Sequence, residues 1–436
     1  MSRTPKALLL AIALAVGSLY YQFYLFLPRT EAARTAKSLT GYHYGGDLYP
    51  IWLAGRILVQ RHTSPYSDET TSLIQNSLYG HSLQQPTPAG LSEHYQSFVY
   101  PLYTEILAAP AIALPFPAAR VLLTILFCLL SGFSVVLWLR AMELSASYQE
   151  IAVIIILTLA SLPLLEALFA VQWGLLAAAL LAASVSAARR QKLGVSGFLL
   201  ALATTKPPIM VLAVLYILFW SFFGWRQRKA LPITFCVTMA AFLSASELAL
   251  PGWLSLWWHA LMRYREYTQA PLARDLLGGS LGTVVTISLL AASLALAWRA
   301  RRTAVGSPAF SLGVAFVLCT TALTLLHRDA IYDHEILLPA VLLVVISWRS
   351  ILRRGPAVRL MLLLAGFALG WQWIAASAVS VAALILGRAA VQQSNFALQL
   401  PLRFSASFPF ALIALLGMMA VPFFRQAEDK HSPSAS

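Results

Sequence analysis

The chain has 436 residues, of which 59% are hydrophobic and 11% charged, with a mean hydropathy of +0.72. Apolar runs of about 20 residues recur from end to end, each long enough to cross roughly 30 Å of hydrocarbon, and this excludes a string of soluble domains. The net charge of +14 does not point to nucleic acid, because Lys and Arg cluster in short loops between the runs, where they set orientation in a membrane.

A backbone in hydrocarbon must satisfy its own hydrogen bonds, and the alternating pattern of a barrel is absent, so the spans are helices. The first covers 7–27. Its basic start, "MSRTPK", resembles a signal peptide, but the apolar stretch is about twice the usual length, which predicts an uncleaved span. Residues 28–117 read as a long outer loop. Within it, 28–44 is a connector, 47–61 is an interfacial helix entered through "YHYGGD", and 99–116, with Pro101, Pro110, Pro115 and Glu105, is a broken helix embedded from the outer side. Eleven further spans follow near 118–139, 151–168, 173–188, 194–205, 207–223, 231–250, 280–298, 309–326, 335–348, 357–378 and 406–424. The basic loops at 189–192, 225–229, 298–302 and 348–354 face the cytoplasm by their charge. Residues 1–425 form one integral membrane domain, and 426–436 read as a disordered cytoplasmic tail. Cys128, Cys236 and Cys319 all lie in apolar runs without metal spacing, so neither disulfides nor zinc are expected.

This threading gathers the unusual polar residues on the outer side. Asp47 and His43 lie in the first loop. Glu166 and Gln172 lie at the turn between the third and fourth spans. Lys206 lies in "TTKPP" between two short half-spans. Arg263 and Arg265 lie in "RYREY", and His327, Asp333 and His334 lie in "HRDAIYDHE".

Asp47 reads either as a general base, with Gly45 and Gly46 letting backbone approach a ligand, or as the N-cap of the following helix. Lys206, flanked by apolar sequence, is costly near the bilayer; it either meets a phosphate or snorkels to the headgroups. Arg263 and Arg265 are alternative phosphate partners, or part of an interfacial helix with the belt of Trp253, Trp257 and Trp258. His327 and His334 suit a sugar hydroxyl or the base, in what is otherwise a solvated hairpin. Glu166 and Gln172, at a membrane edge, read as mainly structural. No HxxxH or DxD spacing supports a metal site, so no metal ligand and no cofactor is expected, with use of a divalent ion left open. Neither a Walker A loop, a Rossmann fingerprint nor GxSxG occurs, so ATP-driven transport and soluble-type hydrolysis lack support.

Taken together, these segments resemble glycosyltransferase family 87. "GGDLYPIWLAGRILVQRHTSPYSDE" resembles its first-loop signature, "FVYPLYTEILAAPAIALPF" its "Y-P-P" helix, and "VQWGLLAAALLAA" its "G-Q-x-N-L-L". "LALATTKPP" is similar to its "A-x-x-K-P" and "YDHEILLPAVLL" to its "Y-D-x-x-L-L-L-P". Leu102 stands in place of the second Pro of "Y-P-P", and Val171 and Gly174 stand where Gly and Asn are expected around Gln172. The resemblance implies an all-α polytopic membrane protein of C-type glycosyltransferase architecture, with about 12 transmembrane helices and outer interfacial helices. It implies inverting transfer of a hexose, mannose-like, from a polyprenyl-phosphate sugar to a glycolipid or glycan acceptor. The reaction would take place on the periplasmic face of a bacterial cytoplasmic membrane, in contact with the lipid bilayer and without nucleic acid. Asp47 matches the essential acid. Lys206, Arg263 and Arg265 are then donor-phosphate candidates, and His43, Tyr49, Gln172, His327, Asp333 and His334 are acceptor or sugar candidates. The rival reading is a carrier or flippase for a lipid-linked sugar. Carriers place ionisable groups near the midplane at a repeat interface, whereas here they collect at one face.

Overall fold

The structure is a computed structural model, and it describes residues 3–36, 41–82 and 95–428. Among them are helices and no strand, apart from one isolated bridge between Pro271 and His327. The chain is an all-α polytopic membrane protein. Every apolar run read from the sequence is helical, but the runs are not alike in length. Among the described residues six helices are long and apolar enough to cross a membrane, and a bent pair, if taken as one span, makes a seventh. Five others, Gly174–Arg189, Leu193–Ala203, Pro207–Phe222, Pro308–Thr324 and Phe408–Ala420, are apolar but shorter. Length and composition therefore support six or seven full crossings, and the twelve segments are not twelve equivalent spans.

The centre is the helix Pro308–Thr324, in which every residue from Phe310 to Thr324 is buried. A helix that is apolar all round has no face for solvent or lipid and packs inside a bundle. It is surrounded by Pro207–Phe222, Gly279–Ala300, Leu338–Leu352 and Phe408–Glu428. Ser307 starts it by accepting from the Phe310 N–H, and Pro308 occupies the first turn, where its missing N–H costs nothing.

Four local features depart from the sequence reading. The stretch 28–44 is not all connector: the first helix, Arg3–Tyr20, runs through a π-helical segment, Tyr21–Phe26, into Leu27–Ala36. The expected span 151–168 is two helices, Tyr148–Leu159 and Leu162–Ala170, bent by 56°. Pro163 sits in the first turn of the second, and the Leu162 N–H at the break donates to Gln372 Oε1 at 2.9 Å. The polar hairpin around 331–335 is not a solvated loop: Ile331–Leu337 is a 3-10 turn leading into Leu338–Leu352, with Asp333 and His334 buried. The last helix continues to Glu428, so 426–428 are helical, and 429–436 lie outside the described residues.

The embedded segment is a short helix, Thr104–Ile112, that ends before Pro115, where the long helix Phe116–Ala141 begins. Arg56, on the interfacial helix Leu48–Arg61, donates through Nε to Ile112 O at 2.9 Å and through Nη2 to Leu114 O at 3.1 Å. The Ile112 carbonyl ends the short helix without an intrahelical partner, so Arg56 satisfies it, and at Leu114 O, just beyond, Arg56 is joined by Trp52 Nε1 at 2.9 Å. Its guanidinium also lies over Trp52, 4.5 Å from the ring centre, a cation–π contact. The first helix crosses Pro356–Leu386 so closely that a Cβ at Gly17 would fall 2.3 Å from Ser377 Oγ.

Candidate functional site

The turn before Leu48–Arg61 is fastened to the end of Leu162–Ala170. Gly45, with φ of +81°, donates its N–H to Phe169 O at 2.9 Å, and the Asp47 N–H donates to Ala170 O at 3.1 Å. Only glycine takes that φ without strain. Asp47 occupies the N-cap position, yet its side chain makes no capping bond. Its carboxylate instead accepts from Gln172 Nε2 at 2.6 Å and from Gln96 Nε2 at 3.2 Å. The N-cap alternative therefore lacks its hydrogen bond.

Gln172 is aimed by an unusual backbone. Helix Leu162–Ala170 ends at Val171 in the left-handed region, φ 53° and ψ 56°. This is the position where the family resemblance expects glycine. A β-branched residue there costs about 1–2 kcal/mol, and such strain persists where the surroundings over-determine it. Past this turn Gln172 is buried and reaches two ways: its amide nitrogen donates to Asp47, and its Oε1 accepts from Lys206 Nζ at 2.8 Å.

Lys206 follows the end of Leu193–Ala203 and precedes Pro207, the first residue of the next helix. Its turn is held by Tyr103, whose hydroxyl donates to Thr204 O at 3.2 Å, and by Thr104, whose hydroxyl donates to Thr205 O at 3.3 Å. The ammonium is buried and donates to Asp333 Oδ1 at 2.6 Å, and it lies 5.5 Å from the centre of the Tyr332 ring. Gly174 makes room for this pair: a Cβ there would stand 2.7 Å from Asp333 Oδ1 and 3.2 Å from Lys206 Nζ. Asp47, Gln172, Lys206 and Asp333 thus form one connected chain, built from four separate stretches of sequence, with two carboxylates and one ammonium.

Asp47 lines a cavity of about 500 Å³ together with His43, Gln96, Arg34, Glu166 and Tyr332. His43 Nδ1 lies 2.7 Å from Glu31 Oε2. Burial and the nearby Arg34 hold its imidazole below the ordinary pKa, against the opposing pull of Glu31. Glu166 accepts from Gln22 Nε2 at 2.8 Å, and Asp329 from Gln269 Nε2 at 2.6 Å.

The remaining candidates lie elsewhere. The Tyr49 ring is buried against Phe116 and Tyr42. Arg263 is exposed and paired with Asp68, and Arg265 is exposed. Between them Tyr264 turns inward: burial first, then the carboxylates of Asp47 and Asp333, push its phenol up to about 12. Tyr100 is raised by the same causes, with Tyr264 added. Tyr100, Tyr264 and Tyr332 are the residues that sequence reasoning missed, although each adjoins a motif it had singled out. His327 forms the bridge with Pro271 and is not among the cavity's lining. His334 faces a second cavity of about 230 Å³, walled largely by apolar residues of the bent pair and of Leu338–Leu352. No three of His, Cys, Asp and Glu among the described residues are grouped to hold a metal ion.

The Tyr332 phenol and the half-buried His43 imidazole offer hydroxyl-binding groups at the cavity wall, and Asp47 offers a carboxylate beside them. Such an arrangement can accept a proton from a bound alcohol. A sequence model of glycosyltransferase family 87 matches residues 98–326, a stretch that includes Gln172 and Lys206. No curated protein and no solved structure matches the chain.

Proposed function

The chain belongs to glycosyltransferase family 87, and on that premise we propose that it moves a hexose, mannose-like, from a polyprenyl-phosphate sugar to a glycolipid or glycan acceptor. The transfer inverts the anomeric centre, in a C-type architecture on the outer face of a bacterial cytoplasmic membrane. The observation that carries this reading is the Asp47 carboxylate, placed by Gln172 and Gln96 at the wall of the large cavity.

In the proposed reaction the acceptor hydroxyl oxygen attacks the anomeric carbon and forms the new C–O bond. The bond from that carbon to the phosphate oxygen breaks, and its electron pair leaves with the phosphate. The acceptor proton passes to Asp47. Gln172 occupies one carboxylate oxygen and fixes its direction, and Lys206, held by Asp333, fixes Gln172. We therefore assign Lys206 to positioning, since its ammonium already has two partners. The half-buried Tyr332, which lines the cavity, offers its hydroxyl to a sugar hydroxyl.

The test is direct. Purified protein in lipid is incubated with a panel of polyprenyl-phosphate sugars and an acceptor extract, and products are read by mass spectrometry, with anomeric configuration by NMR. A new glycoside of inverted configuration is the expected product. Movement of the lipid-linked sugar across the bilayer without any glycoside would replace this reading with the carrier.

A further inference from the structure

We infer that Arg34 is the cation that receives the phosphate of the lipid donor; this rests on the function proposed above and names the group that binds the leaving phosphate. Arg34 stands in the last turn of Leu27–Ala36, a stretch whose sequence offers no motif. Among the described residues lining the cavity that holds Asp47, it is the one Lys or Arg. The other lining charges are acidic: Asp47, Glu166 and Asp329. A phosphate anion cannot enter such a cavity without a cation to offset that field.

The guanidinium is only partly used. Its Nη2 donates to Leu78 O at 2.9 Å, at the end of helix Asp68–Tyr79. Its Nε is buried and has no hydrogen-bond partner. A guanidinium carries five N–H donors in a planar fork that matches a phosphate, and leaving a buried N–H unmade is costly. The bond to Leu78 anchors the group at one side while the orphan Nε–H remains to be satisfied. Arg34 is also close enough to His43 to add to the lowering of its basicity that burial begins.

The alternatives are worse placed. Lys206 lies behind Gln172 with its charge spent on Asp333. Arg263 is exposed and paired with Asp68. During transfer the breaking C–O bond adds negative charge to the phosphate oxygens, so a bond from Arg34 strengthens towards the transition state.

The shared ligand chemistry is a phosphate ester, and two sources could supply it: the polyprenyl donor or an ordinary phospholipid headgroup. The experiment uses the full chain in nanodiscs of phosphatidylcholine. Binding of polyprenyl phosphate is titrated for the wild type, Arg34→Gln, Arg34→Lys and Asp47→Asn, with phosphatidylglycerol as competitor, and thermal unfolding is recorded for each. Arg34→Gln should weaken polyprenyl-phosphate binding by about tenfold to hundredfold, the range for losing a charged hydrogen bond. Arg34→Lys should recover part of that loss, and Asp47→Asn should bind at least as well as wild type. Unchanged binding in Arg34→Gln, with or without lower stability, would reduce Arg34 to a cap on the helix that ends at Tyr79. Equal competition by phosphatidylglycerol would make the seat a general headgroup site and overturn the donor assignment. Because binding is read without turnover, failure of the wild type to transfer sugar would sink the proposed reaction while leaving this result to stand or fall separately.

Discussion

Lys206 and Asp333, 127 positions apart in the sequence, meet with 2.6 Å between Nζ and Oδ1, both side chains buried. Each charge would be costly alone at this depth. Together, with Gln172 as a third partner, they form a fixed post against which the catalytic candidate Asp47 is braced.

Replacing Lys206 by Met leaves Asp333 buried without its counter-charge. Breaking one side of such a pair costs about 3–5 kcal/mol, so Lys206→Met should lower the unfolding temperature clearly in detergent or nanodiscs. The double variant Lys206→Met with Asp333→Leu should regain most of the stability but not the transfer activity, because Gln172 has lost its anchor. A single variant as stable as wild type would show that the pair does not hold the structure.

Asp47→Asn should remain folded, since its side chain makes no capping bond to lose, and should lose transfer by roughly 10²–10⁴-fold, the usual contribution of a positioned base. The amide keeps the shape of the carboxylate but takes no proton at neutral pH. Wild-type turnover by the purified variant would remove the base assignment.

Gln172→Glu sets a second carboxylate against Asp47. Like charges disfavour ionisation, so the pKa of Asp47 rises, offset in part by Lys206. The base form is then lost at a higher pH, and the acidic limb of the pH–rate profile should move up by about one unit. A profile that does not move would show that the 2.6 Å contact is absent during turnover.

The loops around Arg190, Arg226 and Arg301 should be cytoplasmic, and His62 should face the other side, by the distribution of basic residues. Both His62 and Arg190 are exposed. With the three native cysteines replaced, His62→Cys should react with an impermeant maleimide added outside intact cells, and Arg190→Cys should not. The opposite pattern would invert the orientation and place the site inside.

Much of this site was legible in the sequence because polarity is rare and costly in an apolar chain. Lys206 and Gln172 stand beside apolar runs, Asp47 and Asp333 lie in short polar stretches between them, and all four meet. What the sequence lacked was pairing. Nothing local says that Lys206 pairs with Asp333, because the partner lies across the bundle. Neighbouring residues were also hard to separate. On a helix one step is about 100°, and that step decides that Tyr264 turns inward while Arg263 and Arg265 stay outside. Arg34 was hidden for the opposite reason. The segment "LPRTEAARTA" is polar enough to resemble a connector, and its helix continues only because the preceding span carries it. The break at Ser161 was masked by apolar residues on both sides, with Pro163 as the one sign.

That break constrains how the protein can change over generations. The Leu162 N–H is answered by the side chain of Gln372, from a helix more than two hundred residues later. A lineage that straightens the bend leaves the Gln372 Oε1 without its donor, although Nε2 keeps its bond to Leu369 O, and one that loses Gln372 leaves the backbone N–H at the bend unanswered. Neither change is comfortable alone, so the residues around 161–163 and position 372 should drift together, and sequences diverging from this one should show them covarying.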